Sequence, residues 1–274
     1  MEKKYVTYEE FGAVGDGKTD DYAAICKAHS YANENGLPVK ANGNATYYIC
    51  SPIIDGERRS ATIRTDVDWG TAKFIIDDSE ITLDNPDRKW HGHIVFRVAS
   101  DYPMYRIEDE KTLREVSELG ITKKSKKVAL KLGYPALIIP YSSGHKVFKR
   151  LYYSCCWRGA PMHEVIVIDG EGNISEETPV MFDYVGIDYI EVIRLDVKPI
   201  TISGGVFTTL ASKANILRRK ENGEIYYHGG YILRGIEVNR SYTTVKGLKH
   251  YVEGEVTPGE QVDENGNLVA VMNP

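Results

Sequence analysis

The sequence predicts an all-β chain of short stacked strands, entered through one N-terminal helix. Three features predict it. Residues 11–28 read FGAVGDGKTDDYAAICKA, a corner rich in glycine and aspartate followed by a stripe of small residues at helical spacing. Downstream, short runs rich in β-branched and aromatic residues are separated by Gly, Asp and Asn turns. Two of those runs, ITISGGVF at 200–207 and TVKGLKHY at 244–251, repeat a β-branched residue, a spacer and a glycine. Their offset of 43 residues suits two coils of a stack, or one coil with an excursion.

The helix is predicted over residues 20–35. Thr19 makes a good N-cap, and Asp20 and Asp21 fall in the first turn, where the macrodipole favours acids. Ala24, Ile25, Ala28, Tyr31 and Ala32 recur on one narrow apolar face. Asn35-Gly36 tolerates a left-handed ending, and Pro38 forbids the helix to resume. A phosphate loop is the competing reading of the glycines. Their spacing is G-x-x-G-x-G, whereas a dinucleotide loop needs G-x-G-x-x-G, and no G-K-[ST] follows. Asp16, Asp20 and Asp21 would also compete with a phosphate for the helix N-terminus. A tight corner accounts for more of the residues.

After the helix, residues 61–68, 71–77, 80–83 and 94–99 read as strands, followed by 164–169, 187–195, 199–209, 231–239 and 243–253. Within 165–181, D-G-E-G-N separates two apolar runs as in a β-hairpin. Residues 102–162 break the texture: Leu113, Val116 and Leu119 have helical spacing, and KKSKK at 123–127 is a solvated basic patch. This segment is predicted to be an insertion between coils, of the kind that gathers on one face of a stack. Residues 212–229 form a polar, turn-rich excursion. The end of the chain, 254–274, offers no capping helix, so truncation or closure by a partner is expected, with further coils following Pro274 in the first case.

The 274 residues suffice for one large domain or two small ones, and 42% hydrophobic with 27% charged is ordinary for a globular chain. A net charge of −5 disfavours a nucleic-acid partner. No run approaches the 18 or so apolar residues a membrane span needs, and MEKKYVTYEE lacks the apolar core of a secretory signal. A complete chain of this kind is expected in the cytoplasm. The 19 tyrosines suit half-buried strand positions and also offer rings that stack on sugars. Cys26, Cys50, Cys155 and Cys156 fit neither a zinc site nor a disulfide framework, and the adjacent pair reads as small buried hydrophobes.

FGAVGDGKTDDYAAI resembles the N-terminal signature of the pectate-lyase-like superfamily, the single-stranded right-handed parallel β-helices of the polygalacturonase and pectate lyase type. GNATYYICSPI at 43–53 resembles the short strand that follows it in that family. The likeness covers residues 11–53. It implies one β-helix domain over 1–274, its first coil plugged by the helix. It also implies action on polysaccharides: hydrolysis by paired carboxylates, β-elimination with a basic residue and Ca²⁺, or epimerisation. Some relatives are phage tailspikes.

Hydrolysis needs two carboxylates about 5–10 Å apart. Asp66 and Asp68, Asp183 and Asp188, and Glu237 occupy outward positions of predicted strands. Asp66 and Asp68 are two residues apart, so they share a strand face at roughly 7 Å. Asp66, Asp68, Asp183 and Glu237 are the catalytic candidates, although the ordinary meaning of T-D-V-D is a solvated strand face or a turn cap. Elimination needs a base and a clamp for a uronate carboxylate. In RGIEVNRS at 234–241, Ile236 and Val238 are expected inward, Glu237 and Asn239 outward, with Arg240 at the strand end and His250 in the equivalent strand of the following coil. Arg234, Arg240 and His250 are therefore the substrate-binding candidates. The plainer alternative is a salt-bridged surface ladder. His91 and His93 lack a third ligand, so no metal site is assigned, while Ca²⁺ held by Asp turns stays open.

The expected function is a carbohydrate-active enzyme cleaving a polysaccharide or oligosaccharide. Hydrolysis stands ahead of elimination because carboxylates outnumber well-placed Arg and Lys. The rivals are a non-catalytic glycan-binding or tailspike-like module, a homo-oligomer joined through an extended apolar side, and an inactive fragment of a longer enzyme.

Overall fold

The computed structural model describes residues 4–50, 53–54, 57–78, 94–146, 160–211, 217–219, 225–227 and 235–254. The chain divides into two compact units, Met1–Ala99 with Lys198–Pro274, and Ser100–Val197. Among the described residues strands far outnumber helices.

The first unit opens on the glycine corner. Strand β1 (Asp16–Asp20) meets helix α1 (Tyr22–Asn35) through Asp21, which is 1% exposed. Its carboxylate accepts the backbone N–H groups of Val14 at 2.6 Å, Gly15 at 3.2 Å and Tyr48 at 3.3 Å. Gly15 has φ +67°, and a Cβ there would stand 2.8 Å from the Ala45 side chain, so only glycine fits the close approach. The helix starts two residues later than its sequence suggests. Thr19 lies in β1 and donates its N–H and hydroxyl to Asp16. Asp21 takes the N-cap position without capping, because its carboxylate serves the loop, and Asp20 accepts the Tyr22 N–H instead. Gly36 ends the helix in the left-handed conformation, as expected. The buried stripe is Tyr22, Ala24, Ile25, Ala28, His29 and Ala32, whereas Tyr31 stays at the surface against Phe11.

The chain continues through β2 (Val39–Lys40), β3 (Thr46–Ile49), a small hairpin of β4 (Ile53–Ile54) and β5 (Glu57–Arg58), then β6 (Ala61–Ile63), β7 (Val67–Asp77) and β8 (Ile94–Ala99). The break expected between 68 and 71 falls earlier, at 64–66, where the chain passes from one sheet to another. Gly70, at φ +51°, bends β7 without ending it. The strand read at 80–83 lies outside the described residues.

The second unit holds β9 (Tyr105–Ile107), α2 (Glu110–Leu119), β10 (Ala136–Lys146), β11 (Pro161–His163), β12 (Ile166–Ile168) and β13 (Tyr189–Arg194). Asp109 caps α2 by accepting the Thr112 N–H at 2.9 Å. Val116 is buried and Leu113 packs beside it, while Leu119 is exposed. The sheet is antiparallel in the order β11-β10-β13-β9, with β12 also on β10. The strands read at 164–169 and 187–195 therefore pair with β10 and extend the inserted segment well past 162. Asp169 accepts the N–H groups of Glu171 and Asn173, which closes the D-G-E-G-N turn, and Ile168 bridges Ile174 across it. Ile138, Ile166, Ile190 and Val192 form the centre of this unit's own core.

The first unit resumes with β14 (Ile200–Leu210), a hairpin of β15 (Leu217–Arg219) and β16 (Ile225–Tyr227), then β17 (Gly235–Asn239), β18 (Thr243–Lys246) and β19 (Lys249–Glu253). Two parallel sheets result. One runs β1-β3-β7-β14-β18, with β2 on β7 and β19 on β14; the other runs β6-β8-β17. In chain order β3, β6, β7, β8, β14, β17 and β18 alternate between them. The 43-residue offset is the register of direct neighbours: Ile200 pairs with Thr243 and Val206 with Lys249. The repeat thus marks adjacent strands of one parallel sheet, and β15–β16 lie between its two copies in the chain. Between the sheets, Tyr47, Phe74 and Phe207 stand in register, with Phe74 and Phe207 stacked at 4.6 Å. Trp69 and Phe96 close round them edge to face.

Candidate functional site

Strand alternation places the polar side chains of the seven-stranded sheet on its outer face. Lys40, Asp68, Ser203 and Lys246 pair in one row across β2, β7, β14 and β18. Beside this row, Asp66 precedes β7 and accepts the Thr201 N–H at 2.7 Å. Asp68 accepts the Gly70 N–H at 3.1 Å and meets the Ser203 hydroxyl at 3.5 Å. Ser203 also donates to the Val67 carbonyl. Asp66, Asp68, Thr201 and Ser203 line a cavity of about 260 Å³ together with Lys4 and Tyr5 from the N-terminal segment, and Lys40. The Lys40 ammonium lies 5.9 Å from the centre of the Tyr5 ring, within cation–π range.

This cavity gathers two exposed carboxylates, two ammonium groups, a half-exposed tyrosine and two hydroxyls. Asp66 and Asp68 stand two residues apart, a Cα spacing of about 7 Å; that spacing suits the wider, inverting glycosidase geometry of about 6.5–9.5 Å, not the retaining one of about 5–5.5 Å. The lysines suit an acidic sugar, and the tyrosine ring suits a pyranose face. One oxygen of each carboxylate is already held by a backbone N–H, that of Asp66 by Thr201 across the sheet and that of Asp68 by Gly70 two residues on.

The remaining sequence candidates do not join them. Glu237 forms an ion pair with Arg97 at 2.6 Å on the three-stranded sheet, in a row with Thr62. Arg240 donates to the Lys198 carbonyl at 2.6 Å and so ties the β17–β18 turn to the start of β14. His250 stands on the other parallel sheet, in the inward column above Phe207, and its Nε2 lies 2.8 Å from the Thr209 hydroxyl. Residues 235–239 pair into the three-stranded sheet and 243–253 into the seven-stranded one, which is why Glu237 and His250 have different neighbours. Asp183 belongs to the Ser100–Val197 unit, where it accepts the Lys123 N–H at 2.8 Å, and Asp188 accepts the Ser143 N–H. Arg234, His91, His93, Cys155 and Cys156 lie outside the described residues. Among the described residues no three His, Cys, Asp or Glu side chains converge as metal ligands.

Two polar clusters have no counterpart in the sequence reading. Inside the first unit, the Trp69 indole N–H donates to the Tyr8 phenol at 2.8 Å, and Tyr8 meets His29 Nε2 at 2.9 Å. All three are buried, and burial pushes the His29 ring down to about 3 and raises the Tyr8 phenol well above its usual range. In the second unit, Tyr141 stacks between His163 at 4.9 Å and Tyr189 at 4.5 Å, with Arg106 over Tyr189. Arg106 also donates two N–H groups to Glu191, which is 8% exposed. Burial, then the Glu191 charge, raise the Tyr141 phenol. Long-range pairing builds both clusters; a one-dimensional spacing carries no sign of either.

Comparison with protein-family models and with curated proteins finds no match for this chain.

Proposed function

We propose that the chain is a carbohydrate-active protein on a right-handed parallel β-helix of the pectate-lyase-like kind, cleaving an acidic polysaccharide by hydrolysis at the Asp66–Asp68 cavity. One observation carries the reading: two carboxylates on a single strand face share a cavity with Lys4, Lys40 and Tyr5. The alternation of strands between two parallel sheets supports the fold, since a coil that advances one rung per turn produces that order. Asp66 and Asp68 act as general acid and base, and the lysines hold a uronate carboxylate. The role of each carboxylate follows from which one faces the leaving oxygen.

Reducing-end release and the ultraviolet absorbance of an unsaturated product, followed together on neutral and acidic polysaccharides with and without Ca²⁺, test this. Release without the absorbance is expected, reduced roughly 10²–10⁴-fold by Asp66→Asn or Asp68→Asn. Both signals together replace hydrolysis with elimination. A second reading, a glycan-binding module without catalysis, is favoured by the backbone N–H groups that occupy both carboxylates. It predicts oligosaccharide binding that Lys40→Ala weakens, with no bond cleaved.

A further inference from the structure

Beyond the bend at Gly70 and Gly204, strands β7, β14 and β19 turn three rows of side chains outward. Lys73, Val206 and Lys249 pair in the first row. Ile75, Thr208 and Tyr251 pair in the second, and Asp77, Leu210 and Glu253 in the third. The residues that alternate with them, Phe74, Ile76, Phe207 and Thr209, are buried, so the three rows belong to the outer face. Every member of the rows is half-buried or exposed. The face is apolar through Ile75, Val206 and Leu210, basic at one end and acidic at the other. Lys73, Lys249 and Glu253 have no ion-pair partner among the described residues, and Asp77 accepts the Tyr48 hydroxyl. Further along the sheet, the Asp16 and Asp20 carboxylates of β1 are taken up by Thr19 and Tyr22.

This charge pattern selects the partner. A polyanion laid along the strands would meet Asp77 and Glu253, and a polycation would meet the two lysines. A second copy of the same face, turned end for end, meets neither obstacle. A two-fold axis lying in the interface along the middle row sets each strand antiparallel to its own copy. Lys73 of one copy then faces Asp77 of the other, Lys249 faces Glu253, and Val206 faces Leu210, while Ile75, Thr208 and Tyr251 meet their own counterparts. Packed sheets incline by about 30°, a tilt that long lysine side chains can span. We propose that this face binds a second copy of the chain as an isologous dimer. Three strands about 4.8 Å apart and five residues at about 3.3 Å each cover roughly 15 by 17 Å. A stable complex buries about 800 Å² on each partner, so the association is weak and reversible.

Sedimentation of the full chain, from micromolar to millimolar concentration, tests this in four variants. The unmodified protein is expected to move from monomer toward dimer as concentration rises. Lys249→Glu and Glu253→Lys, each alone, set like charges against each other at both ends of the interface and are expected to weaken the dimer about threefold or more. The two substitutions in one chain exchange the charges, and the dimer is expected to recover. Both side chains are exposed, and unchanged urea midpoints confirm that these variants fold. Thr208→Arg places two guanidinium groups on the axis and is expected to abolish the dimer without reference to β19. A monomer at every concentration overturns the proposal. So does a dimer indifferent to the single substitutions or to Thr208→Arg, or a loss that the exchanged pair leaves unrepaired. None of the nine residues lines the Asp66–Asp68 cavity, so this outcome is separate from that of the proposed hydrolysis.

Discussion

His29 sits in α1 with no exposed surface, and its one polar contact is the Tyr8 phenol. The phenol already accepts the Trp69 N–H, so it is placed to donate to Nε2, and Nδ1 has no partner among the described residues. A proton added to this ring would bring a charge into the core without a counter-ion, which is why burial lowers the ring from 6.5 to about 3. Between those values the unfolded chain binds a proton that the folded chain refuses. Stability from this group therefore rises with pH from about 3 to 6.5 and is flat above. His29→Gln is expected to flatten that limb. Urea midpoints measured from pH 4 to pH 8 check it, and parallel slopes in the two proteins would mean that the ring reaches water.

At the scale of elements, glycines set the bends of the larger parallel sheet. Gly70, Gly204 and Gly247 all have positive φ, Gly204 pairs with Gly70, and Gly247 stands next to Gly204. A Cβ on Gly204 would lie 2.4 Å from the Gly70 carbonyl oxygen and 2.6 Å from its nitrogen, both backbone atoms that cannot step aside. Gly36 also has positive φ, but a Cβ there meets nothing within 4 Å. Gly36→Ala should therefore cost only the left-handed strain, about 1–2 kcal/mol. Gly204→Ala adds overpacking of about 1–3 kcal/mol to it. Chemical denaturation of the two variants compares them directly, and equal losses would mean that β7 and β14 spread freely at this point. The repeat that includes Gly204 and Gly247 was visible in sequence because neighbouring strands of one sheet repeat their bends. Gly70 was not, because the inserted unit separates it from its partner. Helix α1 was legible through its stripe and Gly36, but its start was not, since the loop takes Asp21 away from capping.

Across the whole molecule, what was legible divides along the same physical line. Asp66 and Asp68 share a site because period-two alternation is local, and the sequence carries it. Glu237, Arg240 and His250 were expected together because His250 reads as the equivalent strand of a following coil, yet β17 and β19 belong to different sheets, and only the pairing of β17 with β8 and β19 with β14 decides their company. The inserted unit hid its extent for a similar reason: β12 and β13 look like any other short strand until β10 claims them. The two units draw their buried clusters from separate residues, Tyr47, Phe74 and Phe207 among those in one, Ile138, Ile166 and Ile190 in the other. That separation predicts separable stability. Ile138→Ala removes a fully buried side chain from the second cluster, at a cost of about 2–5 kcal/mol. Amide exchange is expected to quicken over 105–107, 136–142 and 189–194 while 46–49, 67–77 and 200–210 keep their protection, because local opening draws on the contacts that were lost. An equal rise in both sets would instead mean that the chain unfolds as one cooperative body, and the inserted unit would then have no independent stability.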